Sequence, residues 1–524
     1  MGDKINALLT GEELDLVLLD KSRKILRGDI DEKEKDDKEK DDKEKDDKEK
    51  VSELHYETKD QALSIIYDGY TSIPKIYHEV FLDPFKKLVQ TYDYALIQKA
   101  LGEQLLLYDL FSCIHQRSTQ DLDASHAFEE TVSDLYDGYL SNIERSGIKA
   151  PDYQAFSPLV IWGKPEAGPY TWPANFGSKL DLQISLVSMP PAYKRNVALW
   201  AAIGHEVGGH DILRADIGLL PELGNVVEAK LIEHKNCKHK NCTKLREPVA
   251  INGRKDYSLA EFAAQYWRHR IDETASDVCG ILNLGPASGF GLALILLSLR
   301  KYKLHNSLPA QEAHPFDPLR IILAADVIRG IRALDFQTCN AYADALEYVV
   351  RKYGSEAINE GFNLYTMTKN GDYYLEATIP YEGMRETVKI VADVISSTRF
   401  KSLEYHSLSE INTWTNSDEI LVQRIVDDLL IKNEPPDIET GPDDQIVYAA
   451  HLLAGGIIAL MKNGEIEAVS ENTIKSLVKL YENNPVWKGF PTHFRGDVYL
   501  HSLVPGYKDS IKGQGPVDSR TDER

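Results

Sequence analysis

Two histidines and a glutamate lie close together in the segment AAIGHEVGGHDIL, as His205, Glu206 and His210. Two neutral imidazoles can bind Zn²⁺, and a carboxylate beside the first imidazole can take a proton from a water bound to the metal. These residue types in this order predict a zinc-dependent hydrolase. The alternative, two ordinary histidines at a contact between helices, predicts no metal.

The spacing of the two histidines does not suit a regular α-helix. Five residues correspond to about 500° of rotation, which leaves the two side chains about 140° apart on an ideal helix. A one-residue π-type bulge would bring them to one face, and such bulges tend to occur at functional sites. Gly208 and Gly209 are where the backbone can yield most readily, although each costs about 1 kcal/mol inside a helix. The sequence therefore predicts a π-type bulge here.

Zinc needs a third protein ligand, and the segment YWRHRIDETASDVCGIL offers the carboxylates Asp272, Glu273 and Asp277. Glu273 and Asp277 are four residues apart on a predicted helix and share a face. One of them can therefore bind the metal while the other orients a ligand imidazole.

A further segment, AHPFDPLRI, places His314 and Arg320 around two prolines at the start of a predicted helix. This arrangement suits the presentation of a hydrogen-bond donor to an oxyanion. In isolation the same pattern would indicate a surface histidine and a solvated arginine.

The segments HEVGGH and DETASD resemble two motifs of the dipeptidyl peptidase III family, H-E-x-x-G-H and E-E-x-x-A-D, with Asp272 for the first glutamate and Ser276 for the alanine. The order of the three segments also resembles the integral-membrane prenyl-protein and heat-shock zinc peptidases, whose spanning helices this chain lacks. Both groups are gluzincins, zinc peptidases whose third ligand is a glutamate. The resemblance is confined to the motif positions within 205–320.

The resemblance implies one zinc ion per chain, a peptide or protein substrate, and a role for each motif residue. His205, His210 and Glu273 would bind the metal and Glu206 would be the general base. His314 and Arg320 would contact the substrate or the transition state as catalytic residues, while Asp277 and Asp272 would lie around the metal ligands. Release of dipeptides is not implied, because the chain departs from dipeptidyl peptidase III outside the two motifs.

The composition of the chain excludes several other classes of function. Its 524 residues carry a net charge of −22, which disfavours binding to nucleic acids and to anionic membrane surfaces. Five cysteines exclude a disulfide scaffold, and acidic residues near the N-terminus replace the apolar run of a signal peptide. We therefore expect a cytoplasmic protein without a membrane-spanning segment.

The elements that must position the motif residues are mostly helical. The pattern predicts a mainly α (α+β) fold, in which a zincin-like helical catalytic domain with a small sheet is flanked by helical regions. The predicted organisation is an N-terminal helix (1–28), a charged low-complexity linker built on DDKEK repeats (29–52), a helical region (53–157), the catalytic domain (158–330), a mostly helical C-terminal region with a hairpin near 364–379 (331–506) and a disordered tail (507–524).

A strand is predicted at 180–187, because Leu180, Leu182, Ile184 and Leu186 alternate with polar residues. After it, a helix is predicted from about 192 to 213. We expect the strand to be an edge to which the backbone of an extended substrate adds, as in zincins.

Three alternatives remain open at this level. The segment EHKNCKHKNCTK could hold a second metal through His234, Cys237, His239 and Cys242, although its spacing favours a basic solvated loop. His210-Asp211 could be the dyad of an HD-type metal phosphohydrolase, with His126 and either Asp216 or Asp277 as further ligands. The chain could also be a non-catalytic interaction protein whose helices are held together by zinc, although Glu206 would then have no purpose.

Overall fold

The structure is a computed structural model of the chain. It describes residues 58–91, 104–119, 122–140, 145, 147–152, 157–164, 168–173, 182, 184–236, 243–251, 253–367, 373–438, 446–484 and 487.

Helices form most of the described chain. The α-helices are α1 (Lys59–Ser72), α2 (Asp83–Thr91), α3 (Gln104–Thr119), α4 (Asp123–Leu140), α5 (Ala201–His205), α6 (Ile212–Ala215), α7 (Leu219–Glu233), α8 (Leu259–His269), α9 (Ile271–Leu284), α10 (Pro286–Leu299), α11 (Asp317–Gly330), α12 (Phe336–Tyr353), α13 (Ser355–Glu360), α14 (Tyr381–Ser397), α15 (Leu408–Ile411), α16 (Asn416–Asp427), α17 (Ala449–Met461) and α18 (Ile466–Asn483). The π-helices are His78–Leu82, Glu206–Asp211 and Asp428–Lys432, and short 3₁₀ turns include Pro191–Arg195 and Val197–Trp200.

Local sequence signals set the ends of the helices around the motif residues. Ser258 and Glu261 form a capping box that begins α8, because each side chain accepts a hydrogen bond from the other's backbone N–H. Gly285 ends α9 with a φ of 69°, a value that suits glycine, and Pro286 then begins α10. Phe316 precedes α11, whose second residue is Pro318.

The strands form two small sheets. The first has the order β1 (Leu159–Trp162), β3 (Leu186–Met189), β2 (Tyr170–Trp172), with β1 parallel and β2 antiparallel to β3. The second has the order β5 (Arg254–Ser258), β4 (Pro248–Ile251), β8 (Tyr373–Ile379), β7 (Phe362–Met367), β6 (Ser307–Pro309), and within it only the β6–β7 pair is parallel. The predicted mainly α (α+β) fold is confirmed.

Two hydrophobic cores lie on opposite faces of the first sheet. The larger core extends from α4 to α18 and includes Val187 and Met189 of β3. The smaller core is formed by helices α1 to α3 and takes Leu186 of β3 with Leu159 and Ile161 of β1. Since both faces of β3 are covered, this strand is buried throughout.

The structure corrects the strand predicted at 180–187. Strand β3 begins only at Leu186, and the preceding residues Leu182 and Ile184 are buried without belonging to a strand. The alternating pattern suggested one solvated face, but Ser185 and Ser188 are also fully buried. Because β3 is the central strand of its sheet, it cannot be the substrate-binding edge; β2 is the outer strand on that side.

The helix predicted from 192 to 213 is wrong at its beginning. Two 3₁₀ turns, Pro191–Arg195 and Val197–Trp200, come before the α-helical residues, and Asn196 separates them by capping the second turn through its side chain. The predicted hairpin is confirmed, since β7 and β8 are antiparallel with Leu364 opposite Ala377. Its Asn370-Gly371 turn lies outside the described residues.

The predicted catalytic and C-terminal regions share one core and one sheet. Strands β4 and β6 come from the first region, and each is paired with a strand of the hairpin from the second. The N-terminal helix, the DDKEK linker and the C-terminal tail lie outside the described residues. Among the helices that the structure describes, none combines the length and the hydropathy needed to cross a bilayer.

Candidate metal centre

His205 and His210 lie on one face of a helix that changes its winding between them. His205 is the last residue of α5, and the π-helix Glu206–Asp211 follows directly before α6. A π-helix bonds residue i to residue i+5, so residues five apart lie about one turn apart. The ring centroids of His205 and His210 are 5.0 Å apart. The predicted π-type bulge is confirmed, and it aligns the two histidines.

Glycines on this helix let α9 approach closely. A Cβ atom built on Gly209 would lie 2.3 Å from the Cα of Ser276, and one on Gly208 would lie 3.1 Å from the backbone N of Gly280. Any side chain at Gly209 would therefore push the two helices apart. The glycines that the sequence analysis linked to the π turn also bring the carboxylates of α9 to the histidines.

Glu273 of α9 faces both imidazoles. Its Oε2 lies 3.1 Å from His205 Nε2, and its Oε1 lies 3.6 Å from His210 Nε2. One ligand atom from each of these three residues lies within 4.8 Å of the other two. Two imidazole nitrogens and one carboxylate oxygen converging in this way match the donor set that zinc takes from proteins at catalytic sites. Within the described part of the chain, no other group of His, Cys, Asp and Glu side chains meets this criterion.

A carboxylate stands behind each imidazole. His205 Nδ1 lies 2.8 Å from Asp277 Oδ1, and His210 Nδ1 lies 3.4 Å from Asp272 Oδ1. Arg320 donates two hydrogen bonds of 2.8 Å to the Asp277 carboxylate, and Arg214 pairs with Asp272. A hydrogen-bonded outer partner, as Asp277 is for His205, fixes the tautomer and orientation of a metal-binding imidazole, with Nε2 directed to the metal. Asp272 faces His210 as an ion pair.

The carboxylates of this cluster favour positive charge on the histidines. Burial would lower the pKa of His205, but hydrogen bonds to Asp277 and Glu273 outweigh it and raise that pKa to about 9. For His210, burial is likewise outweighed, by Asp272 and Glu273, and its pKa rises to about 10. Burial would raise the pKa of Glu273, but the three histidines around it hold that pKa well below its usual range. A metal ion would supply the positive charge that these protons otherwise provide.

Glu206 lies next to this cluster without belonging to it. Its side chain is buried, and it is close enough to His210 to contribute to the raised pKa of that imidazole. The hydroxyl of Thr171 on strand β2 donates a 2.9 Å hydrogen bond to Glu206 Oε2. The predicted general base is thus held beside the histidines by a residue from a separate strand.

His314 lies at the exposed side of the cluster. Its side chain is about half exposed, its Nε2 is 3.2 Å from Glu273 Oε2, and its Nδ1 is 2.8 Å from Glu312 Oε1. Arg270 holds the loop that carries it, donating to the backbone oxygens of His314 and Ala310 at 3.2 and 3.1 Å. His314 is therefore placed where a substrate could meet it.

Arg320 occupies a different position from the one expected. It is buried, and its Nε and Nη2 groups both donate to Asp277. It therefore orients Asp277, and through it His205, without facing the exposed side of the cluster.

Sequence reasoning missed several residues that hold the site together, Arg270 among them. Arg214 follows His210 by four residues on the same helix, and Glu312 precedes His314 by two, so both could have been found from local spacing. Thr171 lies 35 residues from Glu206 on a three-residue strand. No sequence signal connects it with the motif.

Three residues of the alternative phosphohydrolase site are engaged with other partners, while Asp277 lies behind His205. His126 stacks on Tyr481 with ring centroids 4.2 Å apart, Ser185 donates a 2.6 Å hydrogen bond to Asp211, and Asp216 is paired with Arg145 at 2.9 Å. Of the proposed second metal cluster, His234 lies in a 3₁₀ turn, while Cys237, His239 and Cys242 lie outside the described residues.

Comparison of the chain with protein-family models, with curated proteins and with solved structures finds no match. The resemblance to gluzincins therefore rests on the motif residues alone, and the function has to be argued from the geometry of the site.

Proposed function

We propose that the protein is a zinc-dependent metallopeptidase of the gluzincin type. The observation that carries this proposal is the convergence of His205, His210 and Glu273, with a buried glutamate directly after the first histidine. The departures of Asp272 and Ser276 from the dipeptidyl peptidase III motif affect neither the three ligands nor Glu206.

Each residue has a defined task in this proposal. A zinc ion held by the three ligands would supply a Lewis acid and lower the pKa of a water that it binds. Glu206 accepts a proton from the attacking water and delivers it to the leaving nitrogen. Asp277 and Asp272 keep the ligand imidazoles oriented, and His314, whose Nδ1 and Nε2 face Glu312 and Glu273, contacts the substrate from the exposed side of the cluster.

The number of ligands supports catalysis over a structural role. Structural zinc sites are closed by four protein ligands, whereas catalytic sites keep one position open. In the described part of the chain the cluster has three members. A zinc-stapled interaction protein would have no use for a buried carboxylate beside its first ligand.

The substrate class is a peptide or protein in extended conformation. Strand β2 is one of the two outer strands of its sheet as described, and its central residue Thr171 contacts Glu206. A substrate backbone adding to β2 would lie beside the general base. This assignment moves the predicted substrate edge from β3 to β2.

We also place the protein in the cytoplasm. Cys113, Cys279 and Cys339 are buried as free thiols, which suits a reducing compartment.

The decisive experiment combines metal analysis with unbiased detection of cleavage. The zinc-loaded protein is incubated with a proteome-derived peptide library, and new termini are read by mass spectrometry. We expect about one zinc per chain, lost in His205→Ala, His210→Ala and Glu273→Ala, and retained in the matched control Cys237→Ser with Cys242→Ser.

Glu206→Gln separates chemistry from metal storage. It should keep zinc while hydrolysis falls by about 10²–10⁴-fold, the usual contribution of a positioned general acid–base group. Loss of zinc in Glu206→Gln would make Glu206 a ligand and the site a different metal centre. Full hydrolysis in this variant, or no cleavage by the zinc-loaded wild type, would refute the proposed mechanism.

A further inference from the structure

Strand β2 presents its side chains in two directions. Thr171 is directed to Glu206, while its neighbours Tyr170 and Trp172 are directed to helix α3. This alternation is the ordinary geometry of a strand. It makes β2 a link between α3 and the general base.

Asp109 of α3 holds both neighbours with one oxygen atom. The hydroxyl of Tyr170 and the indole N–H of Trp172 each donate a 2.8 Å hydrogen bond to Asp109 Oδ2. Asp109 is only 1% exposed. Its other oxygen, Oδ1, is buried and accepts no hydrogen bond from any described residue.

Two donors that meet at one oxygen fix the register of β2. Sliding the strand by one residue would turn Thr171 to the opposite face and remove its hydroxyl from Glu206. Helix α3 is itself anchored, because Gln116 exchanges hydrogen bonds of 2.7 and 3.0 Å with the backbone of Trp162 in β1. The strand is therefore held against a rigid support.

We propose that Asp109 and Thr171 are positioning residues for Glu206, an inference that rests on the proposed function. Asp109 sets the place of β2, and Thr171 in turn fixes the rotation of the Glu206 carboxylate by binding Oε2. No described residue donates to the other oxygen, Oε1, which remains available to the attacking water.

The first test compares three threonine variants of the zinc-loaded protein. Thr171→Val removes the hydroxyl at constant shape and should lower kcat about tenfold, part of the 10²–10⁴-fold that a positioned general base supplies. Zinc content should stay the same and KM should change less than about twofold. Thr171→Ser should recover most of kcat. Thr378→Val, which removes a hydrogen bond to Asn363 on the second sheet, is the matched control and should leave kcat unchanged.

A second test asks whether Asp109 acts through Thr171. Asp109→Ala should lower kcat, but should add little to the loss already present in Thr171→Val, since residues that act in series are not additive. Asp109→Asn keeps an acceptor at this position and serves as the folding control. Additive losses, or a Thr171→Val enzyme with unchanged kcat, would overturn the proposal.

A third test does not depend on activity and so separates this proposal from the proposed function. Chemical unfolding is measured for the wild type, Thr171→Val, Glu206→Leu and the double variant. A non-additive shift supports the Thr171–Glu206 contact even if no peptide is cleaved. Additive shifts refute the positioning role even if peptides are cleaved.

Discussion

The close approach at Gly209 makes a specific prediction about metal binding. In Gly209→Ala the new Cβ would lie 2.3 Å from the Cα of Ser276, whereas ordinary contact begins at 3.4 Å. The difference, 3.4 − 2.3, is 1.1 Å, and α9 must move by at least about this distance because the clash is with backbone. Glu273 moves with α9, away from the two histidines. A displacement of this size is about half of a zinc–ligand bond of 2.0–2.2 Å.

We therefore expect Gly209→Ala to weaken zinc binding by at least about 100-fold, beyond the usual effect of changing a group behind the ligands. Overpacking should also destabilise the protein by about 1–3 kcal/mol. Zinc affinity is measured by competition with a chromophoric chelator, and circular dichroism reports whether the helices are retained. The matched control is Gly330→Ala, whose Cβ would meet no described atom within 4 Å and which should bind zinc normally.

A second substitution sharpens this test. Ser276→Gly removes the side-chain atoms nearest to the new methyl group, at 1.6 and 1.9 Å, but leaves the Cα at 2.3 Å. Gly209→Ala with Ser276→Gly should therefore recover zinc affinity only in part. Wild-type affinity in Gly209→Ala itself would refute the view that helix contact sets the geometry of the ligands.

Three further predictions concern groups around and away from the centre. Asp277→Asn should lower zinc affinity about 10–100-fold, because the carboxylate behind His205 loses its charge. The control Asp326→Asn changes an aspartate that is also paired with an arginine and should leave zinc affinity unchanged. Equal zinc affinities of the two variants would argue against the role of Asp277. Arg145→Met leaves Asp216 buried without this partner and should lower the free energy of unfolding, measured with a chemical denaturant, by about 3–5 kcal/mol. The control Lys303→Met removes an exposed ion pair and should lower it by about 0–1 kcal/mol. Burial raises the pKa of Glu130 from 4.5 to about 7 despite hydrogen bonds from Trp487 and Asn484, so its neutral form is favoured in the folded protein. Its contribution to the free energy of unfolding is fully present below about pH 4.5 and is lost as pH rises through 7. Glu130→Gln should remove this pH-dependent contribution, which amounts to up to about 3 kcal/mol. A variant whose free energy of unfolding depends on pH as in the wild type would contradict this prediction.

The convergence of His205, His210 and Glu273 could be predicted from the sequence because its constraints are local. The interval between His205 and His210, together with two glycines, contains the information for the π turn, and the four-residue interval of Glu273 and Asp277 places both on one helix face. These relations depend on helix geometry alone, which residue spacing encodes directly.

The surroundings of the ligands could not be predicted in the same way. The alternation before Leu186 resembles a half-exposed strand, yet β3 is covered by a core on each face, a property that depends on helices far away in sequence. The place of Arg320 within its sequence segment suggests a contact with substrate. Only the tertiary structure shows that its guanidinium is hydrogen-bonded to Asp277. Thr171 reaches Glu206 through sheet pairing, which residue spacing does not record.

The pairing of the second sheet has a consequence for when the loop that carries His314 is supported during synthesis. The loop that carries His314 is bound at Ala310 to the backbone oxygen of Tyr365, and β4 pairs with a strand that ends at Ile379. Because domains are synthesised from the N-terminus at about 5–20 residues per second, the histidine helix leaves the ribosome well before these partners exist. The loop that carries His314 therefore gains this support only after the hairpin has been synthesised, so a nascent chain carries the HEVGGH segment before the exposed side of the candidate site is held in place.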